Sequence, residues 1–183
     1  MANKIKYGLR SVYYAKATPS TSGSLTYATP VAIPGAVNLS LSAEGESNIF
    51  YADDTAYFQT TDNNGYSGTL EVALIPESFA TDILGDVTTD GVTVEHANVI
   101  PAEFALLFEF QGDEAATRHA LFRCTCSRPD VTGATKEASI EPQTETLNIT
   151  VLPRINDHVV KAKAAYTTSG AYTTWFSAVP TVS

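Results

Sequence analysis

The residues best suited to chemistry lie in the stretch RHALFRCTCSRPD, which holds both cysteines of the chain, Cys124 and Cys126, close to His119. A Cys-x-Cys pair beside a histidine raises two chemistries, metal ligation and thiol redox. Alternate residues on one strand lie about 6.5–7 Å apart at Cα, with parallel Cβ vectors, which is poor geometry for a disulfide. A zinc site needs about four ligands, and the three histidines (His96, His119, His158) have no ligand spacing. The expectation is therefore two core cysteines. Asp53 and Asp54 are adjacent carboxylates. In extended chain they point apart, so they read as a polar loop tip or an interface ion pair rather than an acid/base pair across a cleft. There is no Gly-rich phosphate loop and no G-x-S-x-G elbow, and no nucleophile has a histidine and carboxylate at telling spacing. Asn38-Leu39-Ser40 and Asn148-Ile149-Thr150 match the glycosylation pattern, but both fall in expected strands of a chain with no readable secretion signal. No catalytic residue, metal or cofactor is expected.

The composition narrows the class further. The balance is acidic, with 20 Asp plus Glu against 11 Lys plus Arg, a net charge of −9. Proteins that grip phosphate backbones need clustered Lys and Arg, and no such cluster is present. The longest apolar runs are far too short to span a bilayer as helices. At 183 residues and 44% hydrophobic, the chain suits one domain, 1–183.

Alternation with period two sets the elements that must position any site. Val37, Leu39 and Leu41 interleave with Asn38, Ser40 and Ser42. Leu70, Val72 and Leu74 interleave with Thr69 and Glu71, and Leu147, Ile149 and Val151 with Thr146, Asn148 and Thr150. Each reads as a strand with one face on a core and one face wet. FALLFEF, residues 104–110, is apolar on both faces except at Glu109, and reads as a central strand covered on both sides. It should form a hairpin with RHALFRCTC, whose strict alternation would place Ala120, Phe122, Cys124 and Cys126 on one face and His119 on the other. PESFATDILGD reads as one short helix with Phe79 and Ile83 paired and Gly85 as its stop. Residues 134–141 could add a helical turn. The expected core contains Leu70, Val72, Leu74, Phe79, Phe104, Leu106, Phe108, Phe122, Cys124 and Cys126.

Three segments resist compact placement. Residues 1–30 include TPSTSGSLTYATP and read as an extended arm, while residues 155–183 read as a C-terminal extension with an aromatic cluster, Tyr166, Tyr172, Trp175 and Phe176. Residues 44–66 form a long acidic and aromatic loop. It is too apolar for ordinary disorder and is best explained by burial against another molecule. Its candidate contact residues are Glu44, Glu46, Ile49, Phe50, Tyr51, Asp53, Asp54, Tyr57, Phe58 and Tyr66. Asn64-Gly65 reads as a hairpin tip.

Taken in order, KIKYGLRSVYYA, ADDTAYFQTTDNNGYSGTLEVALIPESFATDILG, FALLFEFQGDEAATRHALFRCTCSRPDVTG and TKEASIEPQTETLNITVLPR resemble the major tail protein, phi13 type, of long-tailed non-contractile bacteriophages and their prophages. The resemblance runs from Lys4 to about Arg154. It implies a mainly β fold, a β-sandwich or partial barrel flanked by one short α-helix. It also implies six such subunits closing a ring, whose inner sheets join into a continuous β-barrel. Rings would stack into a tube that surrounds a tape-measure protein, meets tail terminator and baseplate or initiator proteins, and conducts DNA without binding it specifically. Such a subunit would be made and assembled in the bacterial cytoplasm and end in the virion. The resemblance carries no catalytic residues. Some members have a further immunoglobulin-like C-terminal domain, for which this chain is expected to be too short.

A channel that passes DNA should not attract it, which gives the acidity a reason. Asn38, Ser40, Ser42, Thr69 and Glu71 are the candidate lumen residues. Two other classes compete. A monomeric β-sandwich carbohydrate-binding or adhesion module would display Trp175 and the tyrosines as a sugar platform, and an enzyme would need a pocket of convergent titratable groups. The tube of a phage-derived injection device is a further variant of the tube reading.

Overall fold

A computed structural model describes residues 5–21, 23–113, 115–135, 142–166 and 170–181. Its centre is the strand read as doubly covered. Strand β10 (Phe104–Phe110) pairs antiparallel with β1 (Leu9–Pro19) on one side and β11 (Arg118–Cys126) on the other. Phe104, Leu106 and Phe108 enter the main core, while Leu107 enters a second cluster on the opposite face with Ala120, Phe122 and Trp175. Glu109 is the buried exception. It accepts a hydrogen bond from Ser11 at 2.9 Å and pairs with Arg10 and Arg118 at 3.1 and 3.3 Å, so its charge is compensated at the sheet end.

From β11 the sheet continues through β12 (Glu145–Val151), β7 (Gly65–Val72) and β4 (Ala36–Glu44). At the other end β1 carries two short strands on its free edge, β2 (Leu25–Tyr27) and β3 (Val31–Ala32). Strand β13 (Lys161–Ala164) pairs with β11 beside β12. The fold is mainly β, a curled antiparallel sheet of sandwich or partial-barrel form with a short helix, and the described residues close no barrel. Residues 33–35 lead from β3 to β4, at the opposite end of the sheet, and Ile33 is anchored by its N–H to the Val12 carbonyl at 2.8 Å.

The expected helix is present as α1 (Glu77–Phe79), widening into a π-type turn over Ala80–Leu84. It stops where Gly85 turns left-handed, at φ 77°. Phe79, Ile83 and Leu84 are buried, and Phe79 sits edge-on to both Tyr14 and Phe104, with ring centroids at 5.0 and 5.5 Å. Tyr14 reaches over the helix to donate to Asp82 at 2.9 Å, and burial first, then Asp82, pushes its phenol up to about 12.

Several expectations are corrected. The N-terminal arm of 1–30 contains β1, a core strand with Val12, Tyr14, Ala15 and Ala17 buried. The C-terminal extension of 155–183 is likewise built in. It supplies β13, and after the helical turn α2 (Gly170–Thr173) it buries Trp175, whose indole N–H donates to the His119 carbonyl at 3.2 Å. Leu74 lies beyond the end of β7 and is exposed, because the strand stops at Val72. The other nine expected core residues are all buried. Of the possible helical turn at 134–141, residues 136–141 lie outside the described residues, and 134–135 are irregular.

A β-bulge overturns the expected face of the cysteine strand. Leu106 faces Leu121, but Phe104 faces Cys124, so two residues of β10 oppose three of β11. The extra residue breaks the alternation. Phe122 joins the second cluster, while Leu121, Cys124 and Cys126 join the main core. His119 is also moved to the cysteines' side, since its ring stacks on Phe108 with centroids at 5.1 Å. The described residues nevertheless include no group of His, Cys, Asp and Glu able to hold a metal. Both thiols are free. Burial drives Cys124 far above the usual thiol range and Cys126 up to about 11. Neither should react with a maleimide in the native protein, and both should react in denaturant. Mass spectrometry of labelled native and unfolded samples checks this.

Candidate functional site

Strands β4 and β7 form the near half of one long ribbon. Their ladder runs from Ala36↔Val72 to Glu44↔Gly65. Two further bonds, Asn64 N–H to Glu44 O at 2.8 Å and Asp62 N–H to Glu46 O at 3.0 Å, lead into a second ladder, β5 (Ser47–Ala52) with β6 (Thr55–Thr61). The stretch expected as a loop, 44–66, is therefore mostly a β-hairpin that leaves the sheet. Its far half is roughly 20–25 Å long at about 3.4 Å per residue. Asp53 and Asp54 are its tip, both left-handed at φ 49° and 59°, the two-residue turn that suits the twist of a hairpin. The structure thus realises the polar-tip reading of the two carboxylates. Asn64-Gly65 is not a hairpin tip. Gly65 instead begins β7, and a Cβ there would meet the Val151 carbonyl at 1.9 Å, with φ at 107°.

The far hairpin carries Ile49, Phe50, Tyr51, Tyr57 and Phe58, all exposed, with Phe50 directly opposite Phe58. Glu46 is exposed at its base, as is Glu44, which accepts from the Ser67 hydroxyl. A two-stranded ribbon with both faces in water is marginal by itself, and an apolar patch of this kind marks an interaction surface. Tyr66 departs from this group. It lies half-buried on β7 in the main sheet, and the Lys161 ammonium sits 4.5 Å from its ring centroid.

The near half of the ribbon presents a different surface. Leu39, Leu70, Val72, Leu147 and Ile149 point into the core. The intervening residues line up across strands. Asn38, Glu71 and Thr146 form one row, Ser40, Thr69 and Asn148 a second, and Ser42, Ser67, Thr150 and Thr125 a third. Asn38, Ser40 and Ser42 are exposed, while Thr69 and Glu71 are half-exposed, with Glu71 accepting from Thr144 at 2.6 Å. All five candidate lumen residues therefore share one face, and Ser67, Thr125, Thr146, Asn148 and Thr150 extend it. The same alternation that identified the five would have identified these. These rows hold hydroxyls, amides and a carboxylate, and no Lys or Arg.

The aromatic C-terminus does not form a sugar platform. Trp175 and Tyr172 are buried, Phe176 stacks on Tyr13 at 5.0 Å, and the Arg118 guanidinium lies 4.1 Å from the Tyr172 ring centroid. Tyr166 is the exposed member.

His119 is a half-buried titratable group on the open side of the core. Burial, then Lys6, with Lys163 and Lys161 in the same sense and Asp113 opposing, holds it below its ordinary 6.5. The unfolded chain therefore takes up this proton more readily than the folded one. The stability tied to a neutral His119 is complete above the unfolded value and is lost as pH falls below about 6.5. His119→Phe keeps a ring on Phe108 and should flatten the fall in stability between about pH 7 and 5. Urea titrations of both proteins at several pH values measure it.

No helix among the described residues is long and apolar enough to cross a membrane. No known protein-family model matches the chain, and no curated protein matches it.

Proposed function

We propose that this chain is a non-enzymatic structural subunit of a bacteriophage tail tube, closing into rings that stack into a conduit for DNA. The observation that carries the reading is the β4–β7 ribbon. One stretch of sheet offers a face of small polar and acidic groups without Lys or Arg, and then runs on as an aromatic hairpin whose rings stay exposed among the described residues. The first surface suits the bore of a channel that lets a polyanion slide, since cations there would add attraction at every ring. The second suits a contact with a neighbouring copy. Strand β4 ends the sheet of the described residues, and its outer edge supplies a strand to which a neighbour's sheet can add, which is how separate open sheets would become one continuous barrel. Ring contacts of this kind are heterologous, so the rotation between copies must close. A tape-measure protein within the bore, terminator and baseplate proteins at the ends, and a final place in the virion follow from the same reading, which applies equally to the tube of a phage-derived injection device.

The test is negative-stain electron microscopy of the purified protein across a concentration series, with size-exclusion chromatography alongside. Rings or tubes with a central hole are expected. A protein that stays monomeric at every concentration, including after addition of preformed tube fragments as seeds, overturns the reading.

A further inference from the structure

Positive charge is scarce in this chain and unevenly used. All five arginines are paired with carboxylates inside the subunit: Arg10 and Arg118 with Glu109, Arg123 with Glu103, Arg128 with Asp86 and Glu95, and Arg154 with Asp157. The four described lysines make no such pair. Three of them, Lys6, Lys161 and Lys163, flank His119 around two adjoining hollows: Lys6 and Lys161 line one, Lys6 and Lys163 the other, and His119 and Phe110 border both. The first is a groove of about 250 Å³ between β4 and the β10–β11 strands, with Leu39, Leu41, Phe108 and Leu121 as its apolar lining, and the second, with Lys163, adjoins it across His119. Lys6 sits 5.1 Å from the centroid of Phe110, and Lys161 donates to the Tyr66 hydroxyl. The nearby carboxylate of Asp113 is engaged by the Ala115 and Thr117 amides at 3.0 Å each.

The complementary surface is on the same chain. The hairpin tip presents Asp53 and Asp54, neither in an ion pair among the described residues, flanked by the exposed rings of Tyr51 and Tyr57. Two carboxylates beside aromatic rings need cations beside an apolar seat, and the His119 groove offers both. We infer that the acidic tip of one copy docks in the lysine-rimmed His119 groove of another copy, with Tyr51 or Tyr57 entering the apolar floor and Asp53 and Asp54 meeting Lys6 and Lys163. The inference rests on the tube reading for its occupant, a second copy of this chain, and adds to it the acceptor site and the charges that set register. Opposite charges placed this way speed encounter and exclude wrong registers more than they add affinity.

The test uses full-length protein, since the native cysteines are buried. Asp54→Cys and Lys163→Cys chains are mixed at assembling concentration and treated with a short bis-maleimide. An Asp54→Cys/Thr93→Cys mixture, with the second cysteine on the exposed β8 (Val87–Thr89)–β9 (Val92–Val94) hairpin, serves as the control. The tip–groove pair should cross-link between chains and the control should not. In parallel, Asp53→Lys/Asp54→Lys should raise the concentration needed for assembly by about tenfold or more, and adding Lys6→Glu/Lys163→Glu to the same chain should restore it. Circular dichroism of each variant shows that the fold is kept. Rings or tubes that form without the tip–groove cross-link, or that ignore both charge reversals, overturn the docking while leaving the tube reading intact. The absence of any oligomer, with no cross-link, overturns both.

Discussion

Phe79→Ala should destabilise the subunit by about 3–5 kcal/mol, the range for emptying a large aromatic site in a packed core. Phe79 is fully buried, and it is the largest of the three buried side chains, with Ile83 and Leu84, that hold a helical segment of only two turns to the sheet. Its ring stands edge-on to Tyr14 from β1 and Phe104 from β10, so one truncation removes two favourable aromatic contacts as well as the buried area. The helix is too short to hold itself. The walls cannot collapse easily, because Tyr14 is tied to Asp82 and Leu84 continues the same packed surface. For a chain of this size the midpoint of thermal unfolding should fall by about 6–20 °C. Calorimetry of both proteins measures this. A loss below about 1 kcal/mol would mean that the helix is not anchored through Phe79.

Replacing Phe50 and Phe58 together with serine should abolish assembly while leaving the monomer folded. The two residues are cross-strand partners on the far hairpin, and both are exposed. Their loss should therefore cost the monomer no more than about 0.5–1 kcal/mol. In an assembly they would be buried, and anchors of this kind commonly contribute about 2 kcal/mol or more each to an interface. A tube repeats every contact, so a deficit of that size per subunit moves the assembly threshold by orders of magnitude. Sedimentation velocity beside urea unfolding separates the two effects. Tubes that form at the wild-type threshold would show that the hairpin is not a subunit contact. An equal loss of stability and assembly would show that the hairpin is part of the monomer core instead.

The parts of this fold that were legible in the sequence are those set by local pattern. The wet and dry faces of β4, β7 and β12 follow from strict alternation, and pleating makes that a property of each strand by itself. FALLFEF announced a strand covered on both sides because neither of its faces is polar enough for water. Gly85 announced the helix stop because it can turn left-handed without strain. The aromatic stretch 44–66 was legible through its composition as a segment set apart from the compact core, although not in its hairpin form. That form depends on bonds between residues far apart in the chain, such as Glu44 with Asn64.

What the sequence by itself determined, then, is the class of fold, the polar face and the presence of an unburied aromatic segment. Tertiary structure decided the rest, through pairings that no local pattern encodes. The Ser-, Thr- and Pro-rich beginning hides a core strand because β1 acquires its place from β10, nearly a hundred residues later. One extra residue in β11, placed by its register against β10, turns Phe122 away from the cysteines and brings His119 to their side. The groove is the extreme case. Lys6 meets Lys161 and Lys163 across more than 150 residues of chain, and a charge cluster assembled over that distance exists only once the sheet has curled.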